Sequence, residues 1–428
     1  MATRACIAIA AAALLVLTGC RRQPPSSESA ASLTFAIDER SNAAPSVAAW
    51  GKTAAVVWTA STDARSDIYC SVSTDGGATF GPPARVNDLD GDARASGEQA
   101  PRVAVGPGNV IHVAWPARHG DRSVIRYSSS SDGGKSFAKA VTVAGEDLHG
   151  ARGWHAMTLG YDGGVHAVWL DGRHAAPSGG HRGDHAKHKS SGGATKPRSM
   201  PDVRQDIFHA SWKGDGPRSE HPVAANVCFC CKTAVATSGD RVYVAWRHIY
   251  PESVRDIAVA RSTDNGATFG DPARLSADDW TIAGCPDDGP SMAADMHGGV
   301  HVTWPTLVDG RKAIFYSSLT EAHNWPAFSS RVRLDSGRTE AAHPQIGADE
   351  HGKSAVVWDE RADGVRRIVL RYVEHGAASD PMFFEGEGVS YPAVAASEHD
   401  WILVWVAQVN GRPVIQGRRI VDVRATTP

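Results

Sequence analysis

The sequence predicts an all-β chain folded as one β-propeller of four-stranded blades. The count is seven, with six the other arrangement considered. Three observations carry the prediction. First, seven β-rich phrases end on a tryptophan: Trp58, Trp115, Trp169, Trp246, Trp304, Trp358 and Trp405. Their gaps are 57, 54, 77, 58, 54 and 47 residues, and a period near 50 with strand patterning inside each unit marks one blade per repeat. Second, a full unit can be traced from Ala100 to Val143, with strands at 101–105, 110–115, 123–129 and 138–143. Third, a hairpin element recurs in register: Ser73 to Phe80, Ser130 to Phe137 and Ser262 to Phe269.

Taken in order, residues 1–19 read as an export signal, with Arg4 before an apolar run too short to span a membrane. Leu17-Thr18-Gly19-Cys20 resembles a bacterial lipobox, which implies cleavage before Cys20 and lipidation of its thiol. Residues 20–32 then suit a flexible polar tether. Arg21 stands where an aspartate would favour inner-membrane retention, so the resemblance favours the outer membrane of a bacterial cell envelope. Residues 33–423 form the propeller, with Thr34 to Asp38 supplying the outer strand of the last blade. A net charge of −3, from 44 basic and 47 acidic residues, gives no pull towards nucleic acid.

Within each hairpin element the aspartate, Asp75, Asp132 or Asp264, accepts hydrogen bonds from turn amides while glycines supply positive φ. The tryptophans read as packing between blades. Charged residues beyond them (Asp171, Arg173, Arg247, Asp359 and Arg361) read as repeated salt bridges between blades.

Blade topology sorts the unusual residues. The approach to strand one and the loop between strands two and three share a face opposite the hairpin elements. On that face lie Cys228, Cys230 and Cys231, then Cys285, from adjacent blades near the mouth of the axial channel. Three readings stay open: a disulfide from Cys231 or Cys228 to Cys285, a thiolate site for copper or zinc, or a redox-active thiol pair. His155 and His248 share the rim and stand as ligands that would complete a coordination shell. An insertion at 175–200 explains the 77-residue gap and carries His181, His185 and His188, with His174 just before it; it reads as a surface loop or a second metal site. Cys70 reads as a buried small hydrophobe.

The hairpin element resembles the Asp box, or BNR repeat, of the sialidase superfamily. The pairing of Cys228-Phe229-Cys230-Cys231 with Cys285-Pro286 and Gly289-Pro290 resembles one exported subgroup of sialidase-like proteins. The resemblance implies an exo-sialidase only where an arginine triad, a Tyr/Glu pair and an acid are present. Arg40 is the nearest match to the family's Arg-Ile-Pro motif, Tyr391 stands where its nucleophile is expected, and Asp90 or Asp92 where its acid is. The sequence identifies no Glu partner. The resulting expectation is a lipid-anchored binding module with metal or thiol chemistry at the channel mouth. The alternatives are a sialidase-type glycoside hydrolase and an envelope scaffold. The ligand at the rim is a small molecule, a glycan or a protein.

Overall fold

Seven sheets, each a meander of antiparallel strands, form the seven blades. The computed structural model describes residues 32–145, 149–174, 205–214, 218–282, 286–319, 325–398 and 400–422. The expected signal, Cys20, nearly all of the tether and the whole of the His-rich insertion at 175–200 lie outside them. The innermost strands are Ser41–Trp50, Arg102–Gly106, Arg152–Leu159, Ala234–Ser238, Ser291–Ala294, Glu340–Ala348 and Ser390–Ser397. Each touches the next, and the seventh touches the first, so the ring is closed. Closure is completed by Ser32–Phe35, which pairs with Arg412–Val421 as the outer strand of blade seven. In blade six two short strands, Ala377–Ala378 and Met382–Glu385, share the outer position.

All seven repeat tryptophans are buried, none above 2 % exposed. Burial favours an acceptor for an indole N–H, and five of the seven donate to a side chain. Asp171 accepts from Trp169 at 2.8 Å, His248 from Trp246 at 3.2 Å and Glu360 from Trp358 at 3.1 Å. Each acceptor is two residues on, hence on the same face of its strand. This corrects the expectation of salt bridges between blades. Asp171 pairs with Arg152 and Arg173 within its own blade. Arg247 donates to three backbone carbonyls, those of Asp288, Arg255 and Pro305. Asp359, one residue after its tryptophan, faces the other way, towards the channel mouth.

The three hairpin elements are staples, as expected. Asp132 accepts from the amides of Lys135 and Ser136, at 3.0 and 3.1 Å. The opening serine, Ser130, accepts from Gly134 N at 2.9 Å. Gly134 has φ +83°, and a Cβ there would lie 2.4 Å from Val72 Cγ2; Gly133, at φ +77°, meets nothing within 4 Å. Gly134→Ala is therefore expected to cost about 2–3 kcal/mol in urea denaturation and Gly133→Ala about 1. Equal costs would mean that the hairpin does not pack on the neighbouring blade.

Candidate functional site

The seven innermost strands carry an equivalent pair of residues at or near their entry, visible once they are aligned: Ala44-Pro45, Ala100-Pro101, Trp154-His155, Lys232-Thr233, Gly289-Pro290, His343-Pro344 and Tyr391-Pro392. The second residue after each opening position (Ser46, Arg102, Ala156, Ala234, Ser291, Gln345 and Ala393) lines an axial cavity of about 150 Å³. The opening residues thus ring its mouth. Three are small, and four project large side chains: Trp154, Lys232, His343 and Tyr391.

Local backbone geometry aims them. The pairing register slips between Gly153 and Ala156, Ala342 and Gln345, and Ser390 and Ala393. At these bulges Trp154, His343 and Tyr391 adopt φ of 55°, 58° and 50°. A bulge re-aims the side chain, and left-handed backbone at bulky residues concentrates where function over-determines it. The His343 and Tyr391 rings stack with centroids 4.2 Å apart. Asp359 holds both, accepting from His343 Nδ1 at 2.6 Å and from the amide of Tyr391 at 3.0 Å. Burial alone would lower the His343 pKa, but the Asp359 carboxylate raises it above the ordinary imidazole value. Tyr391 is pushed up, first by burial and then by the carboxylates of Glu98 and Asp359.

Beside this pair lies a buried charge cluster. Lys232 Nζ stands 2.7 Å from Glu98 and 3.8 Å from Asp288, and donates to Pro344 O at 3.0 Å. Its two carboxyls are driven in opposite directions. Burial leaves Glu98 above the usual carboxyl range despite Lys232. Asp288 is equally buried, yet Lys232 and His343 bring it below that range. Asp288 also accepts from the amide of His343 at 2.8 Å. Glu98, Arg102, His343 and Tyr391 line one cleft.

The sulfur cluster adjoins it, in the four residues before Lys232. Cys228 Sγ is 3.4 Å from Cys231 Sγ and 3.8 Å from Cys230 Sγ, and Arg255 Nη1 donates to Cys228 at 3.4 Å. Cys228 and Cys231 are free thiols, whereas Cys230 is disulfide-bonded. Among the described residues no two cysteines are bonded to one another. Cys285 lies outside the described residues, so Cys231 or Cys228 as its partner gives way to two free thiols. The Cys231 hydrogen bond and the nearby arginines draw the Cys228 thiol down to about 6, while burial drives Cys231 well up.

Several expected ligands are placed elsewhere. The three sulfurs lie within 4.8 Å of one another, and no described histidine joins that group. His155 Nε2 faces the carbonyl of Ala114 at 3.1 Å, and His248 is the acceptor for Trp246. His174 pairs with Asp206 at 2.7 Å, while His181, His185 and His188 lie outside the described residues. Arg40 is bound to Asp67 at 2.6 Å in blade one and stacks over Tyr69. Asp90 is held between Arg65 and Arg85, and Asp92 faces Arg126. The carboxylates that bear on Tyr391 are instead Glu98, Asp359 and Asp288. Sequence reasoning missed Glu98, Lys232 and His343. The alignment of the seven opening phrases would have found the latter two.

A roomier cavity, about 760 Å³, opens at the opposite end beneath exposed Trp50, Tyr161 and Met296. Of its four carboxylates, Asp295 and Asp349 are engaged in their own turns.

No protein-family model matches the sequence, and no curated protein matches it. Solved structures do. A polysaccharide lyase, a PL25 ulvan lyase bound to -[GlcA(1-4)Rha3S]-, aligns with a TM-score of 0.54 at 10 % identity, covering 92 % of this chain and 96 % of its own. The chain has that propeller fold. A protein of unknown function from Dyadobacter fermentans aligns with a TM-score of 0.49 at 14 % identity, over 91 % of this chain and 97 % of its own. Trypanosoma rangeli sialidase aligns with a TM-score of 0.46 at 13 % identity; 89 % of this chain matches 55 % of that one. The neighbours thus include sialidase and polysaccharide lyase propellers.

Proposed function

We propose that this chain is an exported, lipid-anchored, sialidase-like propeller that binds a glycan at the channel mouth. The stacked His343–Tyr391 pair carries the reading. Two aromatic faces on bulges, held by one carboxylate and flanked by Glu98, Lys232 and Arg102, supply the mixed donors, acceptors and apolar faces that saccharides need. The named ligand of the ulvan lyase, a glucuronate-containing saccharide, supports a carbohydrate as the ligand class.

One observation favours a hydrolytic second reading. Glu98 lines the cleft with Tyr391 and, ionised beside Lys232, is placed to take the phenol proton as Tyr391 attacks an anomeric carbon. Retaining glycosidases with tyrosine nucleophiles follow this logic.

The test is glycan-array binding followed by titration of the best ligand. Tyr391→Ala is expected to weaken binding at least tenfold, and Trp50→Ala, at the other end of the channel, less than twofold. The reverse order would move the site to the opposite rim. If the chain also cleaves a sialoside, Tyr391→Phe and Glu98→Gln should each lower kcat by about 10²-fold or more while the glycan still binds. Full activity in Tyr391→Phe would remove the hydrolytic reading.

A further inference from the structure

The innermost strand of a blade has a neighbour on one side only. The axial cavity is therefore walled by strand edges and by the side chains that alternate towards the axis. It measures about 150 Å³, far above the roughly 10–15 Å³ that admits one water. Its charge is one-sided, because Arg102 and Lys232 line it and no carboxylate does. Lys232 spends its ammonium on Glu98 and Asp288 at the mouth. Arg102 has no such partner. Its Nε and Nη2 donate to two backbone carbonyls, those of His155 at 3.3 Å and Glu98 at 3.4 Å, and among the described residues its guanidinium makes no ion pair. Burial lowers the Arg102 pKa, and the Glu98 carboxylate opposes this only in part.

The polar groups around Arg102 are oriented to donate. Ser291 Oγ donates to Gln345 Oε1 at 3.1 Å and accepts from the amide of Ile346 at 3.3 Å, which fixes the Gln345 amide. Thr233 Oγ1 is spent on the carbonyl of Trp154 at 2.8 Å. Gln345 Nε2, Ser46 Oγ and Arg102 Nη1 have no acceptor among the described residues, and all three residues line the cavity. They come from blades six, one and two, so one occupant on the axis meets them together. A planar guanidinium fork beside neutral N–H and O–H donors matches the oxygens of an anion, and the same positive charge repels a metal ion.

We propose that the axial cavity binds one small oxyanion of the sulfate type, held by Arg102, Gln345 and Ser46. The ion supplies the charge that Arg102 lacks and ties three blades across the axis. Its way in is the mouth, because Arg102 and Gln345 also line the cleft beside Tyr391. The site lies beneath the glycan site and does not depend on that reading.

The experiment is equilibrium dialysis of the folded chain against radiolabelled sulfate, with ionic strength held constant by chloride. The wild type is expected to retain about one sulfate per chain at millimolar concentration, and its Tm should rise with the logarithm of sulfate once the site fills. Arg102→Met should lose both the label and the sulfate dependence of Tm. Arg102→Lys, which keeps the charge but not the fork, should weaken binding about tenfold. Gln345→Leu should weaken it severalfold, because one donor is lost. No sulfate retained by the wild type would overturn the site. So would retention unchanged in folded Arg102→Met, which would place the ion on another surface. If neither Arg102 variant folds, unchanged retention in Gln345→Leu has the same force. Glycan binding is read separately, so either site can fail alone.

Discussion

Replacing Lys232 with methionine is expected to destabilise the propeller by about 3–5 kcal/mol at pH 7, read as a lower urea midpoint at unchanged slope. The side chain is 1 % exposed, and it faces Glu98 at 6 % and Asp288 at 3 %. A buried ion pair is weak evidence of stability, because the desolvation of both partners offsets their attraction. Removing one partner is a different event, since it strands the others. Here one ammonium serves two carboxyls, and its loss leaves both in a low-dielectric site. Each will then titrate above its unfolded value, so its stabilising contribution is present at low pH and lost as pH rises through the raised value. The gap between wild type and variant should therefore shrink as pH falls towards 4. Adding Glu98→Gln to the variant should recover part of the loss at pH 7, because one stranded charge is removed. A Lys232→Met variant within 1 kcal/mol of wild type at pH 7 would show that water reaches the cluster, and the mouth would then be an open pore.

Lys232 also shows where the sequence stops being legible. The blade count was readable because each repeat spends a fully buried tryptophan, and a buried indole in a strand leaves a mark at a fixed spacing. The staples were readable for the same reason, since Asp75, Asp132 and Asp264 act within eight residues of chain. Closure by the N-terminal strand was anticipated at Thr34 to Asp38 and found at Ser32–Phe35. The mouth is different. Its residues come from seven blades, so no local window contains them, and a lysine after three cysteines reads as a solvated charge. Tyr391 was singled out through a family resemblance. Its partner His343 occupies the equivalent position one blade earlier, and a residue-by-residue alignment of the opening phrases would have exposed it. Arg247 and Asp359 were misread because strand alternation was not applied beyond the tryptophan. The residue next to a buried indole must face away from it: Arg247 reaches backbone carbonyls of the neighbouring blade, and Asp359 reaches His343 and Tyr391.

The acid side of the stability curve should be steep, and the cause is a set of histidines buried in the neutral form. Burial holds His112 and His166 down to about 4 and His155 and His209 down to about 3. His166 Nδ1 and His209 Nε2 are 3.0 Å apart, an arrangement that a neutral pair satisfies with a single hydrogen and a doubly charged pair cannot. His112 shares a hydrogen bond of 2.7 Å with Tyr127, and His155 faces a backbone carbonyl. In the unfolded chain these imidazoles take protons near pH 6.5. Between that value and their folded values the unfolded state binds more protons, so stability rises with pH there. It is complete above about pH 6.5 and is lost as pH falls. Each group removes about 2 kcal/mol by pH 5, and the four together approach the whole stability of an ordinary domain. His343 runs the other way: Asp359 raises it against its burial, so its contribution is present below pH 6.5 and lost above. One such group does not balance four. Cooperative unfolding is expected above pH 4, followed by tryptophan fluorescence in urea at pH 7.5, 5.5 and 4.5. His155→Leu should remove about one proton from the slope, or roughly 1.4 kcal/mol per pH unit. Stability that stays flat from pH 7.5 to 4.5 would mean that these imidazoles are charged or hydrated in the folded chain, which would contradict the packing between blades two, three and four.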